Sequence, residues 1–226
     1  MNTFYNLTWP LSEHLRADNN KARGERVVNT CPISTDHSDG SRRISPLYLE
    51  LKHNRSDEQM IWGAGVAMHE QLLREFRKEG FTGYRIKPAL VRFRDGSTSD
   101  EYSEFVVTGW AGMASPESGI KLLQSCQGCQ WKRYSAITDF DKVIDWSQWT
   151  GEDFFIVWPL GARRLCSERV AQWLLDRRIK SMRVECGFAE IARDPLFAKL
   201  GYVGGRLTNY LPEDLAVKYG TPLGLE

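Results

Sequence analysis

An α+β fold with mixed or antiparallel sheets is what this sequence predicts, on three observations. Residues 153–184 read as strand, helix, strand. A stretch 98 residues earlier repeats their apolar pattern. Between the two, Cys126-Gln127-Gly128-Cys129 has the spacing of a zinc-ribbon-like knuckle.

In chain order, residues 4–11 predict an opening strand, with Pro10 near its end, and residues 12–26 a polar helix or loop. Val27-Val28 leads into Cys31-Pro32-Ile33-Ser34; residues 35–43, rich in Asp, Ser and Gly, predict a loop, and residues 47–51 a strand. The first strand–helix–strand unit, residues 57–93, runs from Ile61-Trp62-Gly63 through an amphipathic helix that Gly80 stops to Tyr84-Arg85-Ile86. Residues 90–93 and 104–110 predict a strand pair around a turn-rich segment. Residues 126–137 hold the knuckle and a strand from Trp131. The second unit, residues 153–191, opens with the apolar run Phe154-Phe155-Ile156-Val157-Trp158. Ser167 then offers a side-chain oxygen to the free amides of a helix start, Glu168 suits the positive first turn, and Met182, Val184 and Cys186 alternate as in a half-buried strand. Further short helices are predicted over 194–201 and 212–219.

Setting Glu70 against Glu168 puts Leu72, Phe76, Tyr84, Arg85 and Ile86 opposite Val170, Leu174, Met182, Arg183 and Val184. Trp62 and Trp158 correspond after a two-residue gap. Any two amphipathic helices look alike, but the matching flanks favour a duplication. Two copies are too few for a solenoid, so the units should share one sheet or core within a single interwoven domain, 1–226. The faces expected to be buried are Leu72, Leu73 and Phe76 in one unit and Val170, Leu174 and Leu175 in the other.

A chain of 226 residues can bury a substantial core without disulfides, and five unevenly spaced cysteines argue against a disulfide framework. The balance of 30 basic against 29 acidic residues gives no general pull toward nucleic acid or an anionic membrane. No apolar run reaches the ~18 residues of a membrane span. Asn2, Asn6, Glu13 and Arg16 interrupt the N-terminal stretch, which therefore lacks the apolar core of a signal peptide. A cytoplasmic location is expected.

The Cys-x-x-Cys turn is half of a four-ligand zinc site, and the other half should lie upstream. Cys31 is placed for it, but Ser34 stands where a second cysteine belongs, and a neutral hydroxyl is a poor zinc ligand; His37 is the available substitute. The metal candidates are Cys31, Cys126 and Cys129, with zinc the one candidate cofactor. No catalytic residue is assigned: there is no G-x-S-x-G elbow, Walker loop or G-x-G-x-x-G, and His69-Glu70-Gln71-Leu72-Leu73 lacks the second histidine of a metalloprotease helix. Asp139 and Asp141 read as a solvated turn. Arg163-Arg164 and Arg177-Arg178-Lys180 could touch phosphates, but on a helix of this kind they read as its wet face.

The bipartite cysteine layout, the two units and a W-x-G-x-D-x-F lead-in together resemble the bacterial double-CXXCG motif proteins. The lead-in here is Trp149-Thr150-Gly151-Glu152-Asp153-Phe154-Phe155, followed by Ser167-Glu168-Arg169-Val170. The likeness spans Cys31 to about Val184. It implies that Cys31, Ser34, Cys126 and Cys129 occupy the family's four cysteine positions, with Thr35 and Gln130 where its glycines belong, so the first half of the metal site is degenerate. It also implies an immunity protein of a polymorphic toxin system, a cytoplasmic protein that neutralises a cognate toxin by binding it and catalyses nothing. Trp146, Trp149, Arg163 and Arg164 are candidate anchors for such a surface, although each read singly is a core Trp or a solvated Arg. Two alternatives remain: a degenerate zinc-ribbon module on nucleic acid, which needs a clustered basic face, and an enzyme whose site is assembled from distant residues.

Overall fold

The structure, a computed structural model, describes residues 3–9, 17, 24–54, 59–189, 192 and 201–226. Strands β1 (Phe4–Thr8), β2 (Arg26–Thr30), β3 (Ser38–Arg43), β4 (Leu47–Glu50), β5 (Met60–Trp62) and β6 (Val66–His69) lead to helix α1 (Glu70–Lys78). Then come β7 (Tyr84–Arg92), β8 (Thr98–Ser99), β9 (Tyr102–Val107), β10 (Gly109–Met113), β11 (Leu122–Ser125) and β12 (Lys132–Tyr134). The last stretch holds β13 (Phe154–Trp158), β14 (Arg164–Ser167), α2 (Glu168–Asp176), β15 (Arg183–Cys186), β16 (Val203–Gly204) and α3 (Glu213–Gly220). The fold is α+β and mostly strand.

Two larger sheets carry the two units. One runs β4-β7-β9-β6-β5, with β8 paired to β7, and the other runs β10-β13-β14-β1-β15. Strands β6 and β7 are both antiparallel to β9, just as β14 and β15 are both antiparallel to β1. In each sheet, then, a helix connects two parallel strands that hold an antiparallel strand between them. The helix ends match as well. Phe81 N–H donates to Phe76 O and Ile179 N–H to Leu174 O, while Gly80 and Arg178 take positive φ of 66° and 52° at equivalent positions.

β13 is buried along its whole length because it separates two apolar clusters. Phe154, Ile156 and Trp158 join Leu72, Leu73, Phe76, Val170 and Leu174 in a cluster common to both units, while Phe155 and Val157 point into a second cluster with Phe4 and Leu165. Phe76 packs against the rings of Phe81, Phe154 and Trp173, with centroids 5.4 to 5.5 Å apart. A third cluster, around Leu47, Leu49, Ile61 and Tyr102, covers the other face of the first sheet.

Several expectations need correction. Leu175 is 52% exposed and Trp173 takes its place on the buried face. Residues 38–43 are not loop but β3, paired antiparallel with β2, because strand partners can supply hydrogen bonds that composition does not forecast. The strand expected from Trp131 to residue 137 is confined to β12. β15 does not alternate cleanly: Arg183, Val184 and Glu185 are half-buried and Cys186 is exposed. Ser167 makes no capping bond and instead donates to Asp153 Oδ1 at 2.9 Å. The helix predicted over 194–201 and most of the polar segment 12–26 lie outside the described residues.

The neighbouring leucines of α2 give a direct test. Leu174→Ala should cost about 2–5 kcal/mol in denaturant unfolding, whereas Leu175→Ala should stay within about 0.5 kcal/mol of the parent.

Candidate metal centre

Two β-hairpin turns build this site. Strands β2 and β3 pair with each other, and the connection between them carries Cys31 and His37. Strands β11 and β12 form the second hairpin, whose turn carries Cys126 and Cys129. The ligand atoms of Cys31, His37, Cys126 and Cys129 all lie within 4.8 Å of one another, close enough to hold one metal ion.

Cys31 Sγ is 3.6 Å from Cys126 Sγ and 3.5 Å from His37 Nδ1, and Cys129 Sγ is 3.9 Å from His37 Nδ1. A tetrahedron with metal–sulfur bonds of about 2.3 Å and a metal–nitrogen bond of about 2.0 Å has edges of about 3.5 to 3.8 Å. The donor set and its spacing therefore fit a four-coordinate ion. The three cysteines singled out from the sequence are brought together, and His37 supplies the fourth donor. Ser34 is not a donor: its amide points at Cys31 Sγ and its hydroxyl accepts from the Asp36 amide.

The surroundings favour a thiolate at Cys31. Burial would raise this thiol, but the Ile33 and Ser34 amides, each donating to the sulfur at 3.3 Å, outweigh it with help from Cys129 and His37 and bring it down to about 6. Burial first, and then Cys31 and Cys126, push Cys129 up to about 11. The thiolate is the form that ligates metal, so ligation at Cys31 competes with protons below that value. Trp131 stacks on the His37 imidazole, with centroids 4.4 Å apart and planes 6° from parallel, and fixes the ring so that Nδ1 faces the sulfurs.

Backbone geometry explains the spacing of the motif. A Cβ on Gly128 would come within 2.8 Å of the Ile33 side chain and 3.1 Å of the Pro32 ring, so the first turn packs closely on this position. Gln130 follows the second cysteine with a φ of 63°, in the left-handed region that glycine occupies without strain. Trp131 carried no recognisable signal in the sequence as a support of the site.

Trp146 and Trp149 are half-buried, packing on one another at 5.4 Å and against the second cluster. Asp139 accepts from the Asp141 amide in a 3₁₀ turn. His69 caps α1 by accepting from the Gln71 amide. No helix among the described residues is long and apolar enough to cross a membrane.

No protein-family model matches the chain, and no curated protein matches it.

Gln130→Gly should stabilise the protein by about 0.5–1 kcal/mol, since it removes a left-handed side-chain conformation. Gly128→Ala should separate the two turns and lower metal affinity. Denaturant titration and competition with a chromophoric chelator read the two effects.

Proposed function

We propose that this chain is a zinc-clipped binding protein, and specifically an immunity protein that neutralises a toxin in the cytoplasm by direct contact, without catalysis. The observation that carries this reading is the convergence of Cys31, Cys126 and Cys129 with His37 from turns some 95 residues apart in sequence. That is the layout implied by the resemblance to double-CXXCG motif proteins, with a histidine replacing the lost fourth cysteine. Zinc is the ion that best suits three thiolates and an imidazole in a tetrahedron. In this reading the two turns are zinc-ribbon knuckles. The two strand–helix–strand units are copies of one ancestral element, a view supported by the helix ends that match 98 residues apart.

The clip has a physical purpose in a binding protein. A two-stranded hairpin is marginally stable by itself, and β2–β3 carries the exposed side chains Val28 and Ile33 at 64% and 68% exposure. Holding them in one arrangement before encounter lowers the entropy lost on binding. These exposed apolar side chains are the surface we assign to the toxin.

Protein purified without chelator should contain about one zinc per chain, as the four-ligand rule requires, and Cys126→Ser and His37→Ala should each lose most of it. A metal-free parent protein would remove zinc from the reading. Co-expression with the toxin encoded beside the gene should protect cells and yield a complex, and Val28→Asp should abolish both without unfolding the protein. Survival without a complex would point to an enzyme, and no protection would overturn the immunity reading.

A further inference from the structure

A cleft of about 650 Å³ opens between the two larger sheets, with hairpin β2–β3 and residues 208–213 at its mouth. Its size falls within the roughly 300–1,000 Å³ of small-molecule sites. Five cationic side chains line it, Arg26, Arg42, Arg43, Lys87 and Arg164, against the two carboxylates Glu104 and Glu213. Both carboxylates are already engaged: Arg42 pairs with Glu213 at 3.0 Å, and Arg43 pairs with the buried Glu104.

Lys87 and Arg164 make no ion pair among the described residues. Arg164 lies over the face of Trp62, 5.6 Å from the ring centroid, and the Trp62 indole N–H is tied to Ser181 O at 2.8 Å. Burial pushes the Arg164 guanidinium down to about 10, with Glu104 only partly opposing the shift. Arg164 is half-buried with no carboxylate in ion-pair contact, and an anion entering the cleft would supply that contact. Val107, Ile156 and the ring of Tyr210 give the same cleft an apolar wall.

We propose that this cleft binds a small organic phosphate. The guanidinium fork matches phosphate oxygens. Two uncompensated cations suit a phosphate monoester, which carries about −1.5 to −2 charges at neutral pH. The apolar wall and the volume leave room for an organic body. The site is separate from the metal centre and stands independently of the toxin reading.

Calorimetric titration of the full chain with ATP, pyrophosphate and adenosine tests it. ATP and pyrophosphate should bind saturably and more weakly at higher ionic strength, and adenosine should not bind. Arg164→Gln and Lys87→Gln should each weaken ATP binding by about tenfold, the loss of one charge-assisted contact. Lys87 is exposed, so its variant keeps the test decisive even where Arg164→Gln fails to fold. No saturable binding of ATP or pyrophosphate up to about 5 mM, a weak limit on the affinity scale, would overturn the proposal. So would adenosine binding as well as ATP, or both variants retaining full affinity.

Discussion

The carboxylate of Asp153 ties the two units together. It accepts the Thr82 amide at 3.0 Å, the Thr82 hydroxyl at 3.2 Å and the Ser167 hydroxyl at 2.9 Å, and Arg169 grips both its oxygens at 3.2 and 2.6 Å. Burial opposes ionisation here, but Arg169, the Thr82 amide and Ser167 outweigh it and hold the carboxyl below its ordinary range. Its contribution to stability is therefore present above the unfolded value and is lost as pH falls through the folded one. Arg169 also reaches the Glu79 and Gly80 carbonyls at the end of α1, so one ion pair joins the end of one helix to the beginning of the other. Because Arg169 is half exposed, the pair alone is a modest stabiliser; the buried amide and hydroxyl bonds make it a fixed joint.

That joint explains the lead-in motif as architecture and not as chemistry. Trp149 packs on Phe155 and donates its indole N–H to Glu152 O. Gly151 supplies a φ of 87°, which turns the chain into Asp153. Phe154 and Phe155 then enter opposite clusters, so each of these positions has a packing, hydrogen-bonding or backbone-conformation reason. Gln130 likewise holds a backbone conformation, φ of 63°, that glycine occupies without strain.

Much of this was legible in the sequence because periodicity reports burial directly. The apolar positions of α1 and the five-residue run of β13 correspond to observed elements, and the helices set against one another in the sequence begin at Glu70 and Glu168. What was not legible depended on pairing. Residues 38–43 are polar and strand-forming only because β2 lies beside them. β1 and β9 slip between the parallel strands of each unit, an arrangement that local pattern cannot encode. Leu175 and Trp173 exchange roles because a helical face is defined only to within about one residue until its neighbours are known. In the candidate site, the three cysteines and the reserve histidine were legible from ligand chemistry. The stacking of Trp131 and the amides of Ile33 and Ser34 were not, because they act through the folded turn.

Hairpin β2–β3 is where these threads meet. It belongs to neither larger sheet, so its position is set by contacts at its two ends. At the tip, Cys31 and His37 meet the Cys126–Cys129 turn; at the base, Arg42 and Arg43 reach Glu213 and Glu104. An ion at the tip would convert one end from a cluster of unbonded thiols and an imidazole into a bonded corner, leaving the charged base to set the tilt of the hairpin over the cleft. The two ends differ in chemistry, one responding to metal and protons and the other to ionic strength. A hairpin held in this way is sensitive to both, and at the tip Ser34 supports the turn through its amide to Cys31 Sγ and its hydroxyl to the Asp36 amide.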